Sequence, residues 1–220
     1  MYWIIFIVVL IASMIVSNSL NRKFEKFSRV PLLLTGKEVA ERMLRDNGID
    51  DVRVTCIPGH LTDHFNPSDK TINLSESVYN SASVAAAAVA AHETGHALQH
   101  QAEYAPLQLR SALVPVVNFA NRWVMWIIIG GMLVFETFPQ LLWIGIGLYG
   151  LTTLFSVITL PVELDASRRA VEWLEIAGIT NAETTPMAAS ALRTAAYTYV
   201  IAALSSLAYL IYLIAGVSRD

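Results

Sequence analysis

Charged residues are scarce in this sequence. Asp, Glu, Lys and Arg together make up 15% of the 220 residues, whereas hydrophobic residues make up 55%. The surface of a soluble globular protein needs more charged side chains than this. The formal net charge is −3, so no excess of basic residues exists to neutralise the phosphates of a nucleic acid. We therefore expect several membrane spans with a small soluble unit, and no nucleic-acid partner.

Cysteine is almost absent as well. The single cysteine, Cys56, excludes an internal disulfide. It lies in a short stretch of alternating apolar and polar residues, and we interpret it as a small buried side chain of a strand.

The sequence contains several long runs of apolar residues. The first run, Tyr2–Ser17, is just long enough to cross a bilayer as a helix when the chain to Leu20 is added. A cleaved signal peptide is the alternative, but no basic residue precedes the run. Four basic residues follow it, namely Arg22, Lys23, Lys26 and Arg29. This pattern is typical of an uncleaved anchor, and the positive-inside rule places the segment after it in the cytoplasm.

Three further spans are predicted downstream, at Val114–Phe135, Leu141–Pro161 and Tyr197–Val217. A tight turn at residues 136–140 joins the first two of these into a hairpin. Arg122, Arg168 and Arg169 lie at the same ends of the spans as the first basic cluster. The charge pattern therefore places the turn of the hairpin outside and both polar segments in the cytoplasm.

The stretch between the anchor and the hairpin has the mixed periodicity of a compact α+β unit. Thr35 and the Asn47-Gly48 pair are typical of the start and the end of a helix. A longer, alanine-rich helix follows, with Ser81 or Ser83 as its cap. The predicted elements are a helix at Gly36–Asp46, a strand at Val52–Ile57, a loop at His60–Asp69, a strand at Thr71–Ser75 and a long helix that ends near residues 100–103.

The long helix contains the pattern H-E-x-x-H. Its histidines are His92 and His96, and the glutamate is Glu93. Residues four apart lie on one face of a helix, so both imidazoles can bind one metal ion. Neutral imidazole suits zinc, which keeps a position open for water. Glu93 follows the first ligand directly and points toward that water, so we predict that it is the catalytic base.

A catalytic zinc ion needs a third protein ligand. The candidates are His60, His64, His100, Asp63 and the acids downstream. His100 continues the series of histidines, but three ligands on successive turns would span about 12 Å, too far for one tetrahedral ion. His64 stays an alternative, although its neighbours are typical of a turn.

Glu163 is the favoured third ligand. It follows the third predicted span in the stretch TLPVELDASRRA, in which Pro161 suits the first turn of a new helix. The charge pattern places it on the same side of the bilayer as His92 and His96. Asp165 is expected to orient a ligand histidine or to pair with Arg168.

Several of these stretches together resemble the bacterial neutral zinc metallopeptidase family of YugP-type membrane proteases. They are PGHLTDHFNPSDKTINLS, SVAAAAVAAHETGHALQH and LPVELDASRRA. The resemblance implies zinc ligands at His92, His96 and Glu163, with Glu93 as the base. In related membrane proteases an aspartate follows the downstream glutamate by four residues, whereas this chain has Ser167. That departure leaves Asp165 as the candidate for the missing role.

The expected fold class is mainly α: a polytopic membrane protein with about four transmembrane helices and a small zincin-like α+β catalytic unit. We divide the chain into five segments. They are an anchor at 1–20, a cytoplasmic unit with the H-E-x-x-H helix at 21–112, a transmembrane hairpin at 113–161, cytoplasmic helices with the third ligand at 162–196 and a last transmembrane helix at 197–220.

The expected activity is hydrolysis of peptide bonds in membrane-associated polypeptides, with about one zinc ion per chain. The expected location is the plasma membrane, with the active site on the cytoplasmic side. The strand at Thr71–Ser75 is a candidate edge strand for holding substrate. Candidate donors to the developing oxyanion are Arg168, Arg193, Tyr197, Tyr199 and His64. The alternative function is a zinc-binding membrane scaffold without catalytic turnover.

Overall fold

The computed structural model describes residues 2–217, with the side chains of residues 6–217. Within this range the chain is mainly helical, with one small sheet. The helices are α1 (Tyr2–Ser28), α2 (Gly36–Asp46), α3 (Glu76–Tyr79), α4 (Val84–Gln101), α5 (Ala105–Leu133), α6 (Gln140–Ile176) and α7 (Thr185–Val217). The strands are β1 (Arg53–Ile57), β2 (His64–Asn66) and β3 (Thr71–Ser75). The predicted fold class is confirmed.

Among the described residues, α1, α5, α6 and α7 are long and apolar enough to cross a membrane. Each is longer than its predicted span. Helix α1 continues to Ser28, α5 begins at Ala105 and α7 begins at Thr185. The hydropathy pattern marks only the apolar part of each helix, whereas the backbone hydrogen bonds continue through the polar residues beside it.

Pro161 lies inside α6 and does not start a new helix. The prediction of a separate helical segment after Pro161 was therefore wrong. Proline lacks an N–H group and removes one helical hydrogen bond, but a long helix with partners on both sides of the proline tolerates this loss. As a result, Glu163 belongs to the same continuous helix as the third predicted span.

The described chain forms two compact units. We call residues 15–104 and 162–197 the α+β unit, and residues 2–14, 105–161 and 198–217 the apolar unit. Helices α1, α6 and α7 each contribute to both units. The five-segment division and its assignment to the two sides of the bilayer stay predictions.

The sheet of the α+β unit has the strand order β1-β3-β2. Strand β1 is parallel to β3, with Cys56 opposite Leu74, and β2 is antiparallel to β3, with Phe65 opposite Ile72. Two predictions were wrong here. The segment 60–69 is not all loop, because it contains β2, and β3 is the central strand instead of an edge. Three residues between turn formers are too few to show strand alternation in a sequence.

Cys56 lies in β1 as expected, but its side chain is exposed instead of buried. Strand β1 is an edge of the sheet, and its half-buried and exposed side chains do not alternate regularly. One face of this edge is open, which an alternating sequence pattern alone does not reveal.

Helix α4 is the centre of the α+β unit. Ser83 caps its N-terminus by accepting a hydrogen bond from the N–H of Ala86. Its alanines are buried against α2, whose own N-terminus has a capping box formed by Thr35 and Glu38. Alanine side chains let a second helix approach closely, so the sequence AAAAVAA serves packing and needs no chemical role.

Candidate metal centre

Helix α4 presents the two histidines of the motif side by side. The ring centroids of His92 and His96 lie 4.8 Å apart, with the rings nearly perpendicular to each other. His96 is buried, and the side chain of His92 is 15% exposed. Both rings therefore lie mostly inside the α+β unit, and His92 is the more accessible of the two.

Glu163 of α6 completes the cluster. Its Oε2 atom lies 3.3 Å from Nε2 of His92 and 3.7 Å from Nε2 of His96. The residue is 2% exposed. One ligand atom from each of the three side chains lies within 4.8 Å of the other two. The structure thus brings together the three residues that the sequence nominated as metal ligands.

The close approach of α4 and α6 depends on Gly95. A Cβ atom at Gly95 would lie 2.7 Å from the backbone oxygen of Ala166, which is shorter than a normal van der Waals contact. Glycine lowers helix stability, but here its missing side chain lets α6 pass against α4. This contact places Glu163 beside the two imidazoles.

The other ring nitrogens of the two histidines have separate partners. Nδ1 of His92 lies 3.1 Å from Oγ of Ser167, and Nδ1 of His96 lies 3.0 Å from Oε1 of Gln99. Both Nε2 atoms are consequently directed at Glu163. Ser167 contacts His92 at the position where related proteases have an aspartate, so Asp165 does not take over that contact.

Sequence reasoning missed Gln99. Its side chain is fully buried, and its Nε2 donates to the backbone oxygen of Val162 and to the carboxylate of Asp165. Asp165 in turn accepts hydrogen bonds from Arg168 and Arg169. The sequence did contain a signal for this contact. Gln99 follows His96 by three residues, and residues i and i+3 are neighbours on a helix.

The electrostatics of the cluster favour positive charge at His96. Burial alone would lower the pKa of His96, but a hydrogen bond that the imidazole donates to Glu163 and the negative charges of Glu93 and Glu163 outweigh it. The pKa of His96 is therefore raised above its ordinary value. A cation placed between these residues would gain from the same field.

Glu93 lies beside the cluster, on the side of β2. Its Oε2 atom accepts a hydrogen bond of 3.1 Å from the backbone N–H of Phe65. Phe65 is the middle residue of β2, an edge strand, and its N–H points away from β3 toward α4. The outer edge of β2 and the carboxylate of Glu93 therefore lie next to each other.

The remaining ligand candidates do not join the cluster. Both ring nitrogens of His64 are engaged, with the backbone oxygen of Thr62 and the amide of Asn73. Asp63 accepts hydrogen bonds from Ser75 at the start of α3. The rings of His60 and His100 contact Phe24 and Phe65 respectively.

The candidate oxyanion donors differ in their surroundings. The guanidinium group of Arg168 binds Asp165 and Glu172. Arg193 is exposed, and the side chains of Tyr197 and Tyr199 are 49% and 37% exposed on α7. The identity of the oxyanion donor stays a prediction.

The donor set fits zinc. Bonds of about 2.0–2.2 Å in a tetrahedral site place two ligand atoms about 3.4 Å apart. The distances of 3.3 and 3.7 Å from Glu163 to the two imidazoles match this separation. Two imidazoles and a carboxylate also leave a fourth position open, as catalytic zinc sites do.

Comparison with known proteins agrees with this chemistry. Residues 2–218 match the protein family described as "Putative neutral zinc metallopeptidase", and the chain belongs to this family. The chain is also 44% identical over 186 residues to the Bacillus subtilis (strain 168) protein named "Putative membrane protease YugP". That alignment covers 84% of this chain and 82% of the relative. No solved structure is a significant match. The family resemblance seen in the sequence is confirmed.

Proposed function

We propose that this protein is a zinc-dependent membrane endopeptidase that hydrolyses peptide bonds with Glu93 as the general base. The observation that carries the proposal is the convergence of His92, His96 and Glu163, with ligand atoms 3.3 and 3.7 Å from the Glu163 carboxylate. Membership of a zinc metallopeptidase family supports the same conclusion.

The chain's own residues divide the work of hydrolysis. His92, His96 and Glu163 would hold zinc, which supplies a Lewis acid that polarises the scissile carbonyl and makes water a better nucleophile. Glu93 accepts the proton of the attacking water and delivers it to the leaving amine. The hydrogen bond from the N–H of Phe65 holds the Glu93 carboxylate in position.

The free edge of β2 is the proposed binding surface for the peptide. The N–H of Phe65 is already bonded to Glu93, so an extended substrate can pair with the remaining outward-facing backbone groups of this edge strand and present a peptide bond to the base. N-methylation of one substrate amide near the cleaved bond should then raise KM more than it lowers kcat. Unchanged kinetics for every N-methylated peptide would contradict this binding mode.

Glu93→Gln tests the catalytic role. The change preserves size and removes the basic carboxylate, so we expect hydrolysis of a labelled unfolded polypeptide to fall by about 10²–10⁴-fold. Zinc content should stay unchanged. The matched control is Glu103→Gln, at an exposed glutamate just beyond α4. Full hydrolysis by Glu93→Gln would refute the proposal.

A zinc-binding scaffold without turnover is the competing function. It predicts that His92→Ala abolishes a cellular role while Glu93→Gln leaves that role intact. The endopeptidase predicts that both changes abolish it, because one removes the metal and the other removes the base.

The proposed location of the site is the cytoplasmic face of the cell membrane, where substrates are membrane-associated polypeptides. The basic residues after the first span support this orientation. The single cysteine, Cys56, is exposed in the α+β unit and offers a native reporter. A membrane-impermeant maleimide should label Cys56 in inverted vesicles and leave it unlabelled in intact cells. The reverse labelling pattern would refute the cytoplasmic orientation.

A further inference from the structure

The fully buried amide of Gln99 connects the two helices that carry the cluster. Gln99 lies on α4, and its side chain reaches three groups: Nδ1 of His96 at 3.0 Å, the backbone oxygen of Val162 at 2.8 Å and Oδ2 of Asp165 at 2.9 Å. A buried amide is stable only when its donors and its acceptor are satisfied. The oxygen of Gln99 has a partner on His96, and its NH₂ group has two partners on α6.

The partners determine which way the amide faces. A backbone carbonyl and a carboxylate only accept hydrogen bonds, so both of them must face the NH₂ group of Gln99. Its oxygen therefore faces Nδ1 of His96, and that nitrogen must carry the hydrogen. In the neutral ring, which is the form that binds a metal, Nε2 of His96 then keeps its lone pair, directed at the position beside Glu163.

Asp165 is itself fixed. Its two carboxylate oxygens accept hydrogen bonds of 2.5 Å from Arg168 and 2.6 Å from Arg169. Gln99 thus binds α6 at two points, Val162 and Asp165, and Glu163 lies between them in the sequence. A displacement of Gln99 would move His96 relative to Glu163.

We propose that Gln99 is a positioning residue of the metal site, which selects the tautomer of His96 and sets its distance from Glu163. A hydrogen-bond acceptor at Nδ1 makes the imidazole a better ligand through Nε2. In this chain the acceptor at Nδ1 of His96 is the neutral amide of Gln99. The NH₂ group of the same amide binds Val162 and Asp165, so the position of His96 depends on the position of α6. The proposal rests on the proposed zinc site but not on hydrolysis.

Zinc affinity of the full-length chain in detergent tests the proposal without any substrate. Gln99→Met keeps the length of the side chain and removes the acceptor and both donors. Because loss of such a partner weakens metal binding by about 10–100-fold, chelator competition should show a decrease of that size. Gln101→Met is the matched control, since Gln101 is exposed two residues further along α4, and it should bind zinc as the wild type does.

Gln99→Glu separates the contact with His96 from the contacts with α6. A glutamate keeps an acceptor for Nδ1 of His96 but cannot donate to Val162 and Asp165 as an amide does. Because this variant keeps the contact with His96 and loses the contacts with α6, we expect its zinc affinity to lie between those of the wild type and Gln99→Met, and the visible absorption spectrum of its cobalt-loaded form to shift less than that of Gln99→Met. In Gln99→Met that spectrum should shift.

The outcomes are distinct. A wild type that binds no zinc would refute the metal site itself. Tight zinc binding by Gln99→Met, or equal losses in Gln99→Met and Gln99→Glu, would refute only the role of Gln99. If Gln99→Met does not fold, the tautomer of His96 can still be measured in the wild type. Nitrogen NMR of the zinc-loaded, histidine-labelled chain should show a proton on Nδ1 of His96, and coordination through Nδ1 would overturn the proposal.

Discussion

The two compact units bury different kinds of side chain. In the α+β unit the interior contains His96, Gln99 and Glu163, exposed by only 8%, 0% and 2% respectively. In the apolar unit the buried polar groups described are hydroxyls such as Thr153, whose Oγ1 lies 2.7 Å from Oγ of Ser206. Ionisable groups are costly to bury unless each meets a partner. The α+β unit meets that requirement through a connected cluster, and this is where we place the chemistry.

The surface of the apolar unit, like its interior, is dominated by apolar side chains. Large apolar side chains of the apolar unit are exposed, for example Trp126 at 70% and Leu133 at 82%. Its helices pack through glycine, as at Gly131, where a Cβ atom would lie 2.7 Å from Cα of Leu142. Exposed apolar surface and close glycine packing are typical of helices in a lipid bilayer. We therefore interpret the apolar unit as an anchor and not as a second active site.

Removal of Glu163 should have the largest effect on the α+β unit. Glu163→Ala removes the carboxylate from the cluster, so zinc content should fall from about one ion per chain to almost none. Glu175→Ala, at an exposed position on the same helix, and His64→Ala should both retain zinc. Metal analysis of the purified proteins checks this. Retained zinc in Glu163→Ala together with loss in His64→Ala would identify a different third ligand.

Gly95→Ala should have the second-largest effect on stability and zinc binding. Its new Cβ atom would lie 2.7 Å from the backbone oxygen of Ala166, so α4 and α6 must separate. Such overpacking typically costs about 1–3 kcal/mol, and we also expect weaker zinc binding. Thermal unfolding and chelator competition measure the two effects.

Gly131→Ala sharpens the comparison between the units. It creates an equally close contact, but in the apolar unit. We expect it to lower Tm while zinc affinity stays unchanged. A change in zinc affinity of the same size as in Gly95→Ala would show that the two units are coupled more strongly than their separate cores indicate.

The smallest effect is expected for Thr153→Val. This change removes the hydrogen bond to Ser206 within the apolar unit. Hydrogen bonds between membrane helices are worth about 0.6 kcal/mol on average, so Tm should fall slightly and zinc content should not change. A double-mutant cycle with Ser206→Ala isolates the pair, and no coupling energy would contradict the bond.

The sequence predicted local features well because they depend on neighbouring residues. The H-E-x-x-H motif brings His92 and His96 together through the helical period alone. Strand β2 was missed, because three residues without alternation carry no strand signal. The contacts of Gln99 with α6 depend on how closely the two helices approach. That distance is set by the absence of a side chain at Gly95, which only the three-dimensional structure shows to lie against Ala166.

The most direct test of the account is X-ray absorption at the zinc edge of the purified, full-length protein. If His92, His96 and Glu163 are the ligands, each chain should hold about one zinc ion, bound by two imidazoles and by oxygen atoms at about 2.0–2.2 Å, and His96→Ala should lose one imidazole. A sulfur atom in the coordination shell, which only Cys56 or a methionine could supply, or a third imidazole would contradict the assignment of His92, His96 and Glu163 as the ligands.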